Sequence, residues 1–272
     1  MHTWHWRTWQ DLPYLTCSML EAFPHGFFTQ QFLGKPPQEL TQVLQPQASG
    51  YRLKQVHGNI VLTPQEIIDK LANGGDDDVE GEGDTKLVHG DGIASHIPQQ
   101  AVWVASADCT PALIADIKTG AVAAVHAGWR GTAKKIVPIA ISRLLSQGSN
   151  LQDIRVALGP AIAGQVYQVS TETAAEVGTS IFPETNTESI IESLMEQPNP
   201  PILPDTEAGK VRLDVRRVNV MQMESMGISP EQIAIAPYCT FQTPEYFFSY
   251  RRQKEKKIQW SGIVSTLPTV KT

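Results

Sequence analysis

The apolar positions of this chain fall into two kinds of run. Residues 101–107, 111–116 and 121–125 are nearly continuous stretches of valine, isoleucine, leucine and alanine, and predict three strands in quick succession. Residues 51–55, 154–158 and 233–236 predict shorter strands. A helical spacing governs residues 131–146, where Ala133, Val137, Ala140, Ile141, Leu144 and Leu145 share one face. Pro138 inside that pattern should kink the helix or cost it stability, and Gly148 suits its end. Residues 64–72 and 213–226 predict further helices, the second ended by Gly227. The close run of strands is not the regular alternation of a doubly wound sheet, so an α+β layered architecture with mixed sheets and flanking helices is expected.

Two stretches interrupt the pattern. Residues 73–84, NGGDDDVEGEGD, are acidic and glycine-rich, with almost nothing to bury, and lack the spacing of an EF-hand calcium loop. Residues 183–210 hold a predicted short helix near 188–195 and then the proline-rich QPNPPILP. Both read as surface insertions in one domain spanning residues 1–272.

A net charge of -6 argues against a nucleic-acid binder, which needs a basic surface. It leaves room for a small anionic substrate held by a local group of arginines. The three cysteines, Cys17, Cys109 and Cys239, are odd in number and widely spaced, which suits a reducing compartment. The N-terminal MHTWHWRTWQDLPYL lacks a basic start followed by an apolar core, so no signal peptide is expected. No apolar run reaches the roughly 18 residues of a membrane span. A cytoplasmic protein is the expectation.

Three metal-ligand types stand at the ends of predicted strands: His57 in RLKQVHG, Cys109 in ADCTP and His126 in AAVHAGWRG. Two imidazoles and a thiolate suit zinc, and three protein ligands leave a position for water or substrate. On spacing alone the commoner reading of such residues is a buried cysteine and hydrogen-bonded histidines. Cations add to the pattern. Arg130 and Gly131 sit at the predicted start of a helix, where free N–H groups and the dipole favour an anion, and Thr132 is a candidate cap. Arg52 and Lys54 alternate on the strand leading to His57 and should point to one side. Arg251 and Arg252 follow FFSY. Asp91 in HGDGIAS and Asp108 beside Cys109 are candidate acid/base or ligand-orienting groups. Cys239 is a candidate fourth ligand or a buried wall residue. His2, His5, His89 and His96 read as surface residues.

In that order, RLKQVHG, ADCTPALIAD, AAVHAGWRGTA, ALGPAIAG with YQV, CT and FFSYRR resemble the YfiH/laccase-domain family, over most of the chain from about His25. The resemblance implies an α/β/β/α fold and a metal, usually zinc, held by His57, Cys109 and His126. It implies phosphorolysis of adenosine, inosine, guanosine and methylthioadenosine, with adenosine deamination; purine nucleosides and phosphate would be the partners. Copper-dependent polyphenol oxidation and peptidoglycan editing are also attributed to the family. The chain departs from the family pattern at Gln30, where an arginine is usual, and at Gln165, Val166 and Gln168 in the GPAIAGQVYQV segment. Of the family's loop before the metal cysteine only Asp91 is kept. Asp91, Cys109 and Arg130 are the expected catalytic residues; Arg52, Lys54, Arg130, Gly131 and Arg251 are expected to hold substrate and phosphate. The chain has seven histidines and no His-x-His pair, which counts against a multicopper oxidase; a single copper remains open.

Overall fold

The computed structural model describes residues 2–73, 79–80, 86–183 and 186–268. The three neighbouring apolar runs become the strands Gln100–Ser106, Thr110–Asp116 and Val122–Ala127. Every residue of the second and third is buried, so both faces are covered and the sequence has no polar side to alternate with. These two are antiparallel neighbours in a six-stranded sheet, ordered Ile233–Ile235, Ile154–Leu158, Thr110–Asp116, Val122–Ala127, Gly92–Ser95, Val61–Leu62. Gln100–Ser106 lies in a second six-stranded sheet, ordered Trp4–Trp9, Leu12–Cys17, His25–Phe28, Gln259–Val264, Gln100–Ser106, Ser49–Tyr51. Both sheets are mixed, with parallel pairs such as Val61–Leu62 beside Gly92–Ser95 and Ser49–Tyr51 beside Gln100–Ser106.

The two sheets face each other. Leu15, Phe27, Val104 and Ile263 of one meet Ile93, Leu113, Val122 and Ala157 of the other in a single apolar cluster. Behind one sheet, Ile114 and Val125 pack on Ile141, Leu144, Val220 and Met223 of the helices Ile136–Ser146 and Val215–Ser225. Behind the other, Phe28 and Trp103 pack on Leu40 of the helix Pro37–Leu44. The resulting order of helix, sheet, sheet, helix is the α+β layered arrangement expected from the strand spacing. Among the described residues no helix is long and apolar enough to cross a membrane.

The helix expected over 131–146 is two helices. Trp129–Ala133 starts earlier, with Gly128 as its N-cap, and Ile136–Ser146 follows after Lys135, which sits in the left-handed region at φ 58°. Pro138 is therefore the third residue of the second helix. Its missing N–H falls in the first turn, where no helical carbonyl would receive one, so the proline costs little there. The helix Val215–Ser225 is capped by Asp214, whose side chain accepts from the N–H groups of Arg216 and Arg217, and Gly227 follows at φ 93°.

Of the acidic stretch 73–84, residues 74–78 and 81–84 lie outside the described residues, and 79–80 pairs with 86–87. The stretch 183–210 does carry the expected helix, Thr187–Met195. It also supplies the strand Ile202–Pro204, which joins Lys210–Leu213 and Gln168–Ser170 in a three-stranded sheet. Ile190, Leu194, Ile202 and Leu213 are buried in its own apolar cluster with Val177 and Val218, so this stretch has a packed inner side.

Candidate metal centre and its cationic rim

Strand register brings the three ligand types together. Thr110 pairs with Ala127, which sets Cys109 against Gly128, two residues beyond His126. Gly92 pairs with Val125, which sets Asp91 against His126; the His126 N–H donates to the Asp91 carbonyl at 2.7 Å. Val61 pairs with Gly92, and the Asp91 N–H donates to the Ile60 carbonyl at 2.9 Å, so the loop carrying His57 docks at the same sheet end. The donor atoms of His57, Cys109 and His126 lie within 4.8 Å of one another. The two imidazole rings stand edge to face with centroids 4.8 Å apart. His126 is buried, Cys109 half-buried and His57 exposed, so the group opens to solvent on the His57 side.

Asp91 binds the two histidine-bearing segments to each other. Its Oδ1 accepts from His126 Nδ1 at 2.9 Å and from the His57 N–H at 2.9 Å. Its Oδ2 accepts from the Gly58 N–H at 2.7 Å and the Val56 N–H at 3.2 Å. Three consecutive N–H groups can converge on one carboxylate because His57 turns the chain at φ 59°. With Nδ1 donating to Asp91, the Nε2 lone pair of His126 is left for a metal. Burial pushes the Asp91 carboxyl up, but hydrogen bonds from His126 and Gly58 and the His126 charge outweigh it and hold the group below its ordinary range. Asp91 is fully buried with both oxygens engaged, so the expected proton carrier is instead placed to orient other groups.

Burial likewise pushes the Cys109 thiol up, yet the His126 charge and hydrogen bonds from His126 and His57 bring it down to about 6. Burial pushes His126 down, and the opposing Cys109 charge with the Asp91 hydrogen bond raises it to about 9. Without metal, the pair is a thiolate facing an imidazolium. Two glycines make the close approach feasible: a Cβ at Gly128 would sit 2.8 Å from Cys109 Sγ, and one at Gly131 would sit 2.9 Å from the Gly58 carbonyl oxygen. Gly131 is thus a packing position as well as the third residue of a five-residue helix, where its N–H still belongs to the first turn. Thr132 is buried instead of capping; its Oγ1 accepts from Asn219 Nδ2 and its carbonyl from Gln222 Nε2, which fixes the short helix to Val215–Ser225.

Two of the expected cations border this group. Arg130 is exposed, its guanidinium over the Trp129 ring at 4.2 Å. Arg251 lies over the Tyr167 ring at 4.8 Å, with its N–H on Asp108 Oδ2 at 2.7 Å. Tyr167 joins them to Cys109 electrostatically: burial and the Cys109 charge push its hydroxyl to about 12, against the charges of Arg251 and Arg130. The strand expected over 51–55 is Ser49–Tyr51, so Arg52 and Lys54 lie beyond its end, while Tyr51 and Leu53 face the core between the sheets. Arg52 stacks over Trp260 at 5.7 Å on the sheet's outer face, and Lys54 is exposed. Neither has a hydrogen bond or ion pair of its side chain with the ligand group among the described residues. Cys239 is buried beside Ile162 and Ala163, its Sγ accepting the Ala163 N–H, and is not among the converging donors. His2, His5 and His96 are exposed and His89 half-buried.

Sequence reasoning passed over Tyr167, a single aromatic in a loop with no periodicity to single it out. Two cavities open elsewhere, about 180 Å³ beside His5, Arg7, Tyr14 and His25 and about 470 Å³ along Trp4, Ile235 and Tyr238. Neither touches the converging donors, so cavity size does not locate the chemistry here.

Residues 36–265 match the family described as multi-copper polyphenol oxidoreductase laccase. The chain is 50% identical over 271 residues to a purine nucleoside phosphorylase of Synechocystis, covering 96% of this chain and 97% of that one. It is 33% identical over 200 residues to a purine nucleoside phosphorylase of Mycobacterium tuberculosis, covering 74% and 66%. An adenosine deaminase from an unknown prokaryotic organism is 26% identical over 162 residues, covering 60% and 56%. The fold is that of YlmD from Geobacillus stearothermophilus, at a TM-score of 0.75 and 21% identity over 96% of this chain and 98% of that one.

Proposed function

The chain belongs to the multi-copper polyphenol oxidoreductase laccase family, and from that membership we propose a zinc-dependent purine nucleoside phosphorylase acting on adenosine, inosine, guanosine and methylthioadenosine, with adenosine deamination as a second activity. The observation that carries this reading is the pairing of three metal-type donors with the cations Arg130 and Arg251 around Tyr167. The relatives named purine nucleoside phosphorylase and adenosine deaminase support the same reaction classes. We read the chain as one catalytic domain, and its three free thiols suit a reducing, cytoplasmic setting.

Two imidazole nitrogens and a thiolate fit zinc, and Gly128 leaves the space that the thiolate fills. Bound by His57, Cys109 and His126, zinc would supply a Lewis acid with a position open to a substrate atom. The remaining work falls to the chain. In phosphorolysis a phosphate oxygen bonds to C1′ of the ribose while the bond from C1′ to the base nitrogen breaks, and the base leaves with the electron pair. Arg130 and Arg251 hold the phosphate and offset its charge at the attacking position. Asp91 keeps His126 in one tautomer and His57 in reach. Arg52, over Trp260, and the exposed Lys54 have no part in this scheme, and Gly131 contributes close packing.

The family's oxidase description calls for several coppers. Among the described residues one group of three donors converges, which supports a single-ion centre. The deciding experiment assays the zinc-loaded protein on adenosine and inosine with and without phosphate. Phosphate-dependent base release is expected from both, with ammonia release from adenosine as the second activity. Copper-dependent oxidation of a polyphenol with no base release would overturn the proposal.

A further inference from the structure

Adjacent arginines at the C-terminal end of the site are used in opposite ways. Arg252 donates to three backbone carbonyls, those of Thr240, Phe241 and Phe247, at 2.6–2.8 Å. Its fork is filled, and it ties down the 240–248 loop. Arg251 donates from Nη1 to the Gln168 carbonyl at 2.9 Å, and no carboxylate pairs with it among the described residues. A guanidinium has five N–H donors, so most of Arg251's remain for a ligand.

Arg251 is nonetheless firmly placed. Asp108 Oδ2 accepts its backbone N–H at 2.7 Å, while Oδ1 accepts the Thr240 hydroxyl at 2.7 Å. This carboxylate, next to Cys109 in the chain, therefore brings the Tyr250–Gln253 turn to the ligand group. The Gln168 carbonyl is fixed in turn, because Gln168 pairs with Arg212 in the three-stranded sheet. The Tyr167 carbonyl accepts the Leu213 N–H at 3.0 Å, which holds the Tyr167 ring against the guanidinium. The Tyr167 hydroxyl has no hydrogen-bond partner among the described residues, so the residue acts on Arg251 through its ring.

We infer that Tyr167 and Asp108 are positioning residues that preset Arg251 as a fork for a tetrahedral oxyanion beside Cys109. Inorganic phosphate is the oxyanion if the phosphorolysis reading holds, and the identity of the anion rests on that reading. Fixing the fork before the anion arrives removes the ordering cost of a long flexible side chain from binding.

The test measures phosphate affinity twice on the zinc-loaded full chain. One measurement is direct, by phosphorus NMR titration with inorganic phosphate. The other is the KM for phosphate in base release. Tyr167→Leu removes the ring under the guanidinium and should weaken phosphate about threefold to fivefold, the scale of one cation–aromatic contact, with the KM for nucleoside and the melting temperature unmoved. Tyr167→Phe keeps the ring and should restore affinity to within about twofold of wild type. Arg251→Met should weaken phosphate by tenfold or more, on the order of a lost charge-assisted bond; it carries the test should Tyr167→Leu lower the melting temperature. Unchanged phosphate affinity in Arg251→Met, or equal losses in Tyr167→Phe and Tyr167→Leu, overturns the inference. The two ideas fail separately. Phosphate binding that depends on Arg251 without any base release keeps the fork and removes phosphorolysis; phosphate-dependent base release indifferent to Arg251 does the reverse.

Discussion

His126 Nδ1 donates to Asp91 Oδ1 at 2.9 Å, and the same oxygen accepts the backbone N–H of His57. One carboxylate atom thus sets the direction of one metal-type ligand and the place of another.

Asp91→Asn tests that coupling. The amide would turn an NH₂ toward groups that are themselves donors, so at least one buried donor loses its acceptor. Zinc affinity should fall about 10–100-fold, the usual cost of losing a partner behind a metal ligand, and stability should fall by about 1–3 kcal/mol. Competition with a chromogenic chelator and a thermal melt check both. A variant that holds zinc as tightly as wild type would remove Asp91 from the centre.

Cys109→Ala deletes the sulfur donor from the group. The purified variant should retain little zinc and release no base from adenosine or inosine. Metal analysis and the phosphate-dependent assay are made on one preparation. Full turnover in a metal-free variant contradicts the proposed mechanism.

The metal-free protein should carry its charge pair across neutral pH. Cys109, brought to about 6 from an ordinary 9.0, stabilises the fold above pH 9 and loses that contribution as pH falls through 6. His126, raised to about 9 from 6.5, stabilises below pH 6.5 and loses its contribution as pH rises through 9. Between about 6 and 9 the two slopes have opposite sign and offset, so stability from this pair should be nearly flat with pH. Thiolate absorbance in the ultraviolet should titrate near 6, in a protein also carrying Cys17 and Cys239; comparison with Cys109→Ala isolates it. A step near 9 with none near 6 would be the contrary result. Zinc binding near pH 7.5 should release about one proton from the pair, from His126, because Cys109 is already ionised.

Gly128→Ala places a methyl 2.8 Å from Cys109 Sγ. Neither strand end can retreat freely from the buried sheet, so the thiolate must shift. Overpacking of this kind costs about 1–3 kcal/mol. A zinc affinity reduced about tenfold or more, with the circular dichroism of the fold intact, is the expected result; unchanged affinity would mean the glycine is incidental to the site.

The central strands were legible, and Cys109 and His126 with them, because both residues stand at the ends of apolar runs, whereas His57 lies in a loop that only the fold brings to them. Other features depend on information that periodicity does not hold. Alternation puts Arg52 and Lys54 on one side of a strand over 51–55, but the strand stops at Tyr51, and Arg52 lies over Trp260 instead. The apolar stripe from Ala133 to Leu145 runs unbroken through Lys135, whose left-handed backbone makes the break that turns Pro138 into a first-turn residue. Asp91 stood out by its motif, whereas its role comes from backbone donors 33–35 residues away in the chain. The N-terminal hairpin, Trp4–Trp9 with Leu12–Cys17, shows alternating exposure in its first strand, a period-two signal that a search for continuous apolar runs passes over.

Every bond to the Asp91 side chain comes from the protein itself. Four N–H donors, from Val56, His57, Gly58 and the His126 ring, join both histidine segments through this one carboxylate. A socket built this way should give up its metal to a chelator with the melting curve still cooperative, unlike a zinc finger, whose folding consumes the binding energy of its metal. Which ion occupies it is then governed by what the surroundings supply. Copper outranks zinc for nitrogen donors wherever both are free, so the metal found in a preparation records its history as much as its chemistry.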